Sequence, residues 1–406
     1  MAHLIATKIM TEELEFSVML HGPNIESDMR LLLENFEREN RVSVKLTILP
    51  WDSGWSALVK YALYGNGPSV SEIGSTWLPS LAGMETLAPV SSAQIARMGG
   101  EDAFLQPIWQ SAFIDKKLYG IPWFADTRLI YYRRDLFAKA GLDPALVFQS
   151  TQNLSAAVEA LKDVSPAAPW IVPTVKSTQN MHIAAPWVWG AGGNFLSPDG
   201  ASVLFDQPEA LAGFCDYFRL GRYMGTEQRV SVSEVQSSFY FDKAAMIVSG
   251  SWMGRKGIPL RALDFVKESY GVAAPPGVPF VGGSHLVIWK NAKKPELAHK
   301  LVEYLAYADV QHSFYKTAFM FPTRKDALQS EVDLDDRVWQ PSVEALSRGR
   351  CFPAVKLWGK LEEAVSTQLA AIWSEIAENP QDSADQIVIK HITDVAERLK
   401  ITFDGY

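Results

Sequence analysis

Two cysteines are all that the 406 residues contain. Cys215 and Cys351 stand far apart, with no CxxC and no Cys/His spacing, so neither a disulfide framework nor a zinc site is encoded, and one bridge between the two is left open. An excess of positive charge is also missing. A formal net charge of −8 and a pI near 5.5 argue against a phosphate backbone or an anionic membrane as the main partner, so no nucleic acid is expected. Long apolar runs are absent. The most apolar long window, Tyr270 to Trp289, is interrupted by Pro275, Pro276 and Pro279, which predicts no membrane-spanning helix. The stretch MAHLIATKIMTEELEF carries Lys8 among its first apolar residues and Glu12, Glu13 and Glu15 soon after, so it reads as no secretory leader. A start at Met10 changes nothing in that respect. No Walker A sequence, HExxH or GxSxG occurs, and the segment Gly190 to Asn194 fails the GxGxxG spacing. His182, His285, His299 and His312 are scattered without metal-ligand spacing. No catalytic residue, metal or cofactor is therefore assigned.

Tryptophan, by contrast, is plentiful. Many of the 13 sit beside Gly, Pro, Ser or Asp instead of inside apolar periodic runs, where a purely structural Trp would belong. In GIPWFADTRLIYYRRD, Gly120 to Asp135, Trp123, Asp126 and Arg128 crowd the entry to an apolar run. An aromatic face stacks on the C–H face of a sugar, and carboxylate and guanidinium offer paired hydrogen bonds to neighbouring hydroxyls. The chain is longer than one core usually supports, so two domains or lobes are expected.

Along the chain, strand, loop and helix alternate. Glu15 to Leu20 reads as a strand and Met29, Leu32, Leu33 and Phe36 as one helix face, with Ser27 or Asp28 as its cap; Val42, Val44, Leu46 and Ile48 alternate strictly. Val70 to Ile73, Leu129 to Tyr132, Ala245 to Val248 and Val281 to Trp289 add further strands, and the last part is mostly helical. This order predicts an α/β fold with a parallel sheet, its ligand groups on loops at the carboxyl ends of strands. Trp51 and Asp52 fall at one such end, and Ser75, Thr76 and Trp77 at another. Trp252 follows a third strand, and Trp187 and Trp189 are placed on a loop around Pro186 to Gly193.

Five segments in this order make the chain resemble the family 1 extracellular solute-binding proteins, the maltose-binding-protein-like sugar receptors of ABC importers: GNGPSVSEIGSTWL, GIPWFADTRLIYYRRDLFAKAGL, FDKAAMIVSGSW, GGSHLVIWKNAKKPELAHKLVEYL and FMFPTRKDAL. The resemblance runs from Phe16 to the final helices. It implies the type II periplasmic-binding-protein fold, two α/β lobes joined by crossing hinge strands with ligand in the cleft. Residues 12–124 and 281–325 would form the first lobe, and 125–280 and 326–406 the second. It also implies a carbohydrate ligand, permease subunits of an ABC transporter as partners, a monomer, and a place in the periplasm or outside the cell. Two positions depart from the family pattern: Ser69 stands where Asp is usual, and Asp242 where Gly is usual.

The expected ligand-binding set is Trp51, Asp52, Ser75, Thr76, Trp77, Trp123, Asp126, Arg128, Trp187, Trp189, Trp252, Gly282, Gly283 and Ser284. Each has a plainer reading. A single Trp can plug a lobe core, Asp52 can cap the next helix, Asp126 and Arg128 can simply pair, and Gly282 to Ser284 can be a turn. His285 reads as a satisfied strand residue. The number of stacking faces leans towards a di- or oligosaccharide. An anionic sugar or another small polar solute is the alternative ligand, and a glycosidase using Asp52 with Asp126 or Glu72 the alternative activity.

Overall fold

The computed structural model describes residues 12–224, 229–254, 269–329 and 337–404. The reading of the first residues, with Lys8 and the start at Met10, lies outside the described residues. Strands β1 (Glu12–Met19), β2 (Val42–Leu49) and β3 (Val70–Gly74) are parallel, β1 lying between the other two. The helix after β1, Ile25–Asn40, buries Ile25, Met29, Leu32, Leu33 and Phe36, the 3.6-residue stripe expected of a helix laid on a sheet. Its cap position is Asn24, not Ser27 or Asp28, and the chain leaves it through Arg41 in the left-handed region.

A small hairpin of β4 (Phe113–Ile114) and β5 (Lys117–Leu118) leads into β6 (Ile121–Arg133), a continuous strand of 13 residues where the sequence suggested only Leu129 to Tyr132. The first half of β6 pairs antiparallel with β9 (Val281–Ile288) and β10 (Phe321–Pro322). Its second half pairs with β7 (Met246–Gly250) and β8 (Tyr270–Ala273). The change of partner falls between Thr127 and Arg128, inside the stretch assigned from Ala125 onward to the second lobe. β9 inserts between β3 and β6 and runs antiparallel to both, so the main sheet is mixed, in the order β10-β6-β9-β3-β1-β2.

Buried apolar side chains divide the same way. One group joins β1, β2, the helix Ile25–Asn40 and the helices Pro295–Leu305 and Ala308–Ala318. A larger group begins at Leu129 and runs through the helices Gln179–Gly190, Pro208–Arg219, Trp358–Glu378 and Ala384–Asp404. In it two helices approach closely: a Cβ on Gly213 would stand 2.6 Å from the Trp187 carbonyl oxygen. The helix Trp339–Arg348 touches both sides, for Trp339 and Leu346 pack with Leu105, Tyr315 and Phe321 while Ala345 belongs to the larger group.

Asp242, the departure from Gly, has a φ of 59°. Asp is among the few residues that tolerate the left-handed region. Here its carboxylate also pairs with the buried Arg133, which Asp135 holds from the other side at 2.7 Å. Cys215 and Cys351 are both free thiols.

Candidate functional site

The carboxyl ends of β1, β2 and β3 lie side by side, and the chain leaving each carries polar and aromatic groups. Trp51 is the first residue of the helix Trp51–Tyr64, whose N-cap is Pro50; Asp52 therefore sits in the first turn as a favourable acid and not as the cap. Trp51 is 39% exposed although it touches Trp77, their ring centres 5.4 Å apart, and Trp55 lies 5.8 Å beyond Trp77. A large aromatic left this open on a strand-end loop, next to a second ring, is a ready stacking platform.

Behind this platform lies Glu72, wholly buried on β3. It accepts from the Met19 amide at 2.8 Å and from the Ser284 hydroxyl, and shares a hydrogen bond with His21 Nε2 at 2.7 Å. His21 sits in the turn after β1 and meets Trp51 at 5.5 Å and Phe124 at 4.7 Å, edge to face in both cases. Ser284 and its neighbours belong to β9, so Gly282 to Ser284 is strand and not a free turn. Gly283 has a φ of 140° and its carbonyl accepts from Ser75 N–H at 2.9 Å.

A second polar group sits where β6 changes partners. Arg128 is 3% exposed; its Nη1 donates to Asp126 at 2.7 Å and its Nη2 to His182 Nδ1 at 2.9 Å. The guanidinium also lies 5.0 Å over Trp252 and 5.5 Å from the centre of Phe280, an arrangement that favours a cation over aromatic faces. His182 stacks on Phe280 at 4.2 Å, and its Nε2 stands 3.5 Å from Glu362 Oε1 on the helix Trp358–Glu378. Burial, and then the Arg128 charge, hold His182 well below the usual histidine range, so the ring is neutral. Burial pushes Glu362 up to about 7, while the Thr76 hydroxyl and the Trp358 indole beside it pull partly back. Thr76 follows β3, so this carboxyl joins the two groups. Arg128 Nε, His182 Nε2 and Glu362 Oε1 are buried without a hydrogen-bond partner among the described residues.

Trp51, Ser75, Trp77, Gly283 and Ser284 thus gather on one side, Asp126, Arg128, Trp252 and Gly282 on the other, with Thr76 between; Asp126 faces Gly282 across the β6–β9 pair. Three expected residues fall elsewhere. Trp123 is 1% exposed and stacked on Phe314 at 4.9 Å, because its position on β6 points into the core beneath the sheet. Trp187 and Trp189 lie on a helix that accommodates Pro186, not on a loop, and at that spacing they diverge. Trp187 packs on Trp170 and Tyr217, and Trp189 on Phe195 and Phe352 with Arg350 over its ring. The expectation that they line the ligand site is corrected accordingly. His285 is buried in β9 as a strand residue with its Nε2 3.0 Å from the Ile108 carbonyl, but it is only half satisfied, because its Nδ1 has no hydrogen-bond partner among the described residues.

His21, His182 and Glu362 escaped the sequence reading. His21 occupied a strand-end turn, the same signal that marked Trp51. Glu362 gave no signal, since it lies on an ordinary amphipathic helix that only the fold brings to Thr76.

Among the described residues no group of His, Cys, Asp and Glu could hold a metal ion, and no helix is long and apolar enough to cross a membrane. Residues 22–312 match the family model described as bacterial extracellular solute-binding protein. Over 370 residues the chain is 24% identical to the diacetylchitobiose binding protein DasA of Streptomyces coelicolor, covering 88% of this chain and 84% of that protein. It is 25% identical to the maltodextrin-binding protein MdxE of Bacillus subtilis, covering 75% and 73%. The sugar-binding protein MalE from Xanthomonas citri superposes with a TM-score of 0.80 at 22% identity, over 97% of this chain and 100% of that one. The two-lobe α/β fold, and a match over most of the chain, lead to one assignment: this protein belongs to the bacterial extracellular solute-binding protein family.

Proposed function

We propose that the chain captures a neutral di- or oligosaccharide in a cleft between its lobes and delivers it to the permease of an ABC importer, acting outside the cytoplasmic membrane as a monomer. The observation that carries this reading is the open Trp51–Trp77 platform at the strand ends, set beside the Asp126–Arg128–Trp252 group. Two relatives, a diacetylchitobiose binding protein and a maltodextrin-binding protein, support the ligand class. The lobes are 12–124 with 281–325 and 125–280 with 326–406, hinged at β6 and at the start of β9. Sugar rings stack on Trp51, Trp77 and Trp252. Asp52, Ser75, Thr76, Asp126, Arg128 and Ser284 hydrogen-bond hydroxyls, and Gly282 and Gly283 let the ligand approach the backbone.

Binding without turnover is the favoured activity. Glu72 is buried under three donors and Asp126 is engaged by Arg128, so neither stands free as one of a pair of acid–base carboxylates. Calorimetry with diacetylchitobiose, maltose and maltotriose, followed by chromatography of the recovered sugar, tests this. Binding with the sugar recovered intact supports a receptor. Cleaved product would establish an enzyme, and failure of every saccharide to bind would remove the carbohydrate reading.

A further inference from the structure

Glu72 is an unusual group to spend on fold stability alone. A wholly buried carboxylate is costly unless donors surround it, and three do: the Met19 amide at the end of β1, the Ser284 hydroxyl on β9, and His21 Nε2 at 2.7 Å. Because an ionised carboxylate only accepts, the shared hydrogen is on His21 Nε2. A neutral His21 then has Nδ1 as a bare acceptor. That nitrogen has no hydrogen-bond partner among the described residues. The ring cannot easily turn to find one, since Trp51 and Phe124 hold it edge to face at 5.5 and 4.7 Å, and its side chain is only 5% exposed.

We infer that His21 is a specificity-determining ligand contact: Glu72 fixes its tautomer and orientation, and Nδ1 accepts a hydrogen bond from a hydroxyl of a sugar ring stacked on Trp51. The inference rests on the carbohydrate reading above and adds to it a residue that discriminates a donor hydroxyl from an ether or a deoxy position at one place in the ligand. A ring held by a buried acid is preorganised, so the contact costs little ordering on binding. Discrimination of this kind is strong, because a ligand lacking the hydroxyl strands the acceptor.

Two substitutions separate a ligand role from a structural one. Gln places an amide nitrogen where Nε2 was, keeping the donor to Glu72 but removing the acceptor. Asn places an oxygen where Nδ1 was, keeping the acceptor but abandoning Glu72. The probe is whichever of diacetylchitobiose, maltose or maltotriose binds the unchanged protein most tightly. His21→Gln should melt near the parent temperature and bind about tenfold more weakly, the worth of one net hydrogen bond. His21→Asn should melt lower and keep affinity within about threefold. Long-range nitrogen–proton NMR of the unliganded protein at pH 8 should show the His21 proton on Nε2. A proton on Nδ1 instead, or full affinity in His21→Gln, overturns the inference while leaving the carbohydrate reading intact. Failure of every saccharide to bind the unchanged protein removes both.

Discussion

The Arg128 guanidinium lies 5.0 Å over the Trp252 ring while donating to Asp126 at 2.7 Å, so one buried cation orients both a carboxylate and an aromatic face. Asp126→Asn keeps an acceptor for Arg128 but loses the charged hydrogen bonds available to a ligand. Such bonds contribute roughly 1.5–3 kcal/mol, so saccharide affinity should fall about tenfold to a hundredfold with a small change in melting temperature. Calorimetry and thermal denaturation of the same preparations measure both. A collapse in stability with affinity retained would make the pair structural. A steep loss of affinity with added salt would point to an anionic ligand.

The tryptophans should divide into two classes. Trp51→Ala and Trp77→Ala each remove a stacking face of about 0.5–1.5 kcal/mol, so affinity drops several-fold while stability holds. Trp123→Ala and Trp187→Ala empty a core position and should lower unfolding free energy by about 3–5 kcal/mol. Denaturant melts alongside ligand titrations sort them. Equal affinity in both platform variants would remove Trp51 and Trp77 from the site.

Glu362 gives the stability a definite pH slope. Burial raises its pKa to about 7 in the folded protein from the ordinary 4.5 of a glutamate, so the protonated form is favoured by folding. The favourable contribution is fully present below about pH 4.5 and disappears as pH rises through 7. The difference is on the order of 3 kcal/mol. His285, lowered to about 4, and the depressed His182 act in the opposite sense, costing stability as pH falls below 6.5. Subtracting the urea-denaturation profile of Glu362→Gln from that of the parent isolates the carboxyl. A flat difference between pH 4.5 and 7.5 would contradict the buried, raised carboxyl.

A methyl group where β9 crosses β6 should be far worse than one on the surface. At Gly283 a Cβ would lie 2.1 Å from the Phe124 carbonyl oxygen, a backbone atom of the neighbouring strand that cannot swing away. Gly100 has a φ of 80° but nothing within 4 Å of the same atom. Gly100→Ala should cost about 1 kcal/mol of backbone strain alone, and Gly283→Ala several times that. Similar melting temperatures for the two variants would mean that β6 and β9 can separate locally.

The parallel opening of the fold was legible because β2 is an edge strand: its outward residues meet water, and Val42 and Val44 alternate with Ser43 and Lys45. β6 was mostly hidden for the opposite reason. Both of its faces are covered, so nearly every residue from Ile121 to Arg133 is buried and no period of two survives. The helix Gln179–Gly190 was lost likewise. It is buried on almost all sides, and Pro186 with the following glycines imitates a loop. At the site, exposed Trp51 and half-buried Trp77 were readable from their strand-end places, whereas the roles of Trp123 and Trp187 turn on which way a side chain points. Local sequence does not encode that for a strand covered on both faces, nor for a helix buried almost all round. The Thr76–Glu362 meeting depends wholly on tertiary assembly.

The insertion of β9 between β3 and β6 also governs the order in which the molecule can be finished. β3 emerges early in synthesis, yet Ser71 finds its sheet partner in Val287 and Ile121 its partner in Leu286. Until that late strand arrives, β3 and the first half of β6 each present an open edge, and the first lobe cannot close its sheet. Non-local pairing of this kind folds slowly and leaves edges that invite association. A polypeptide of this topology stays unfinished until β9, in its last third, has been made, so the β3 and β6 edges wait unpaired on that side through most of synthesis.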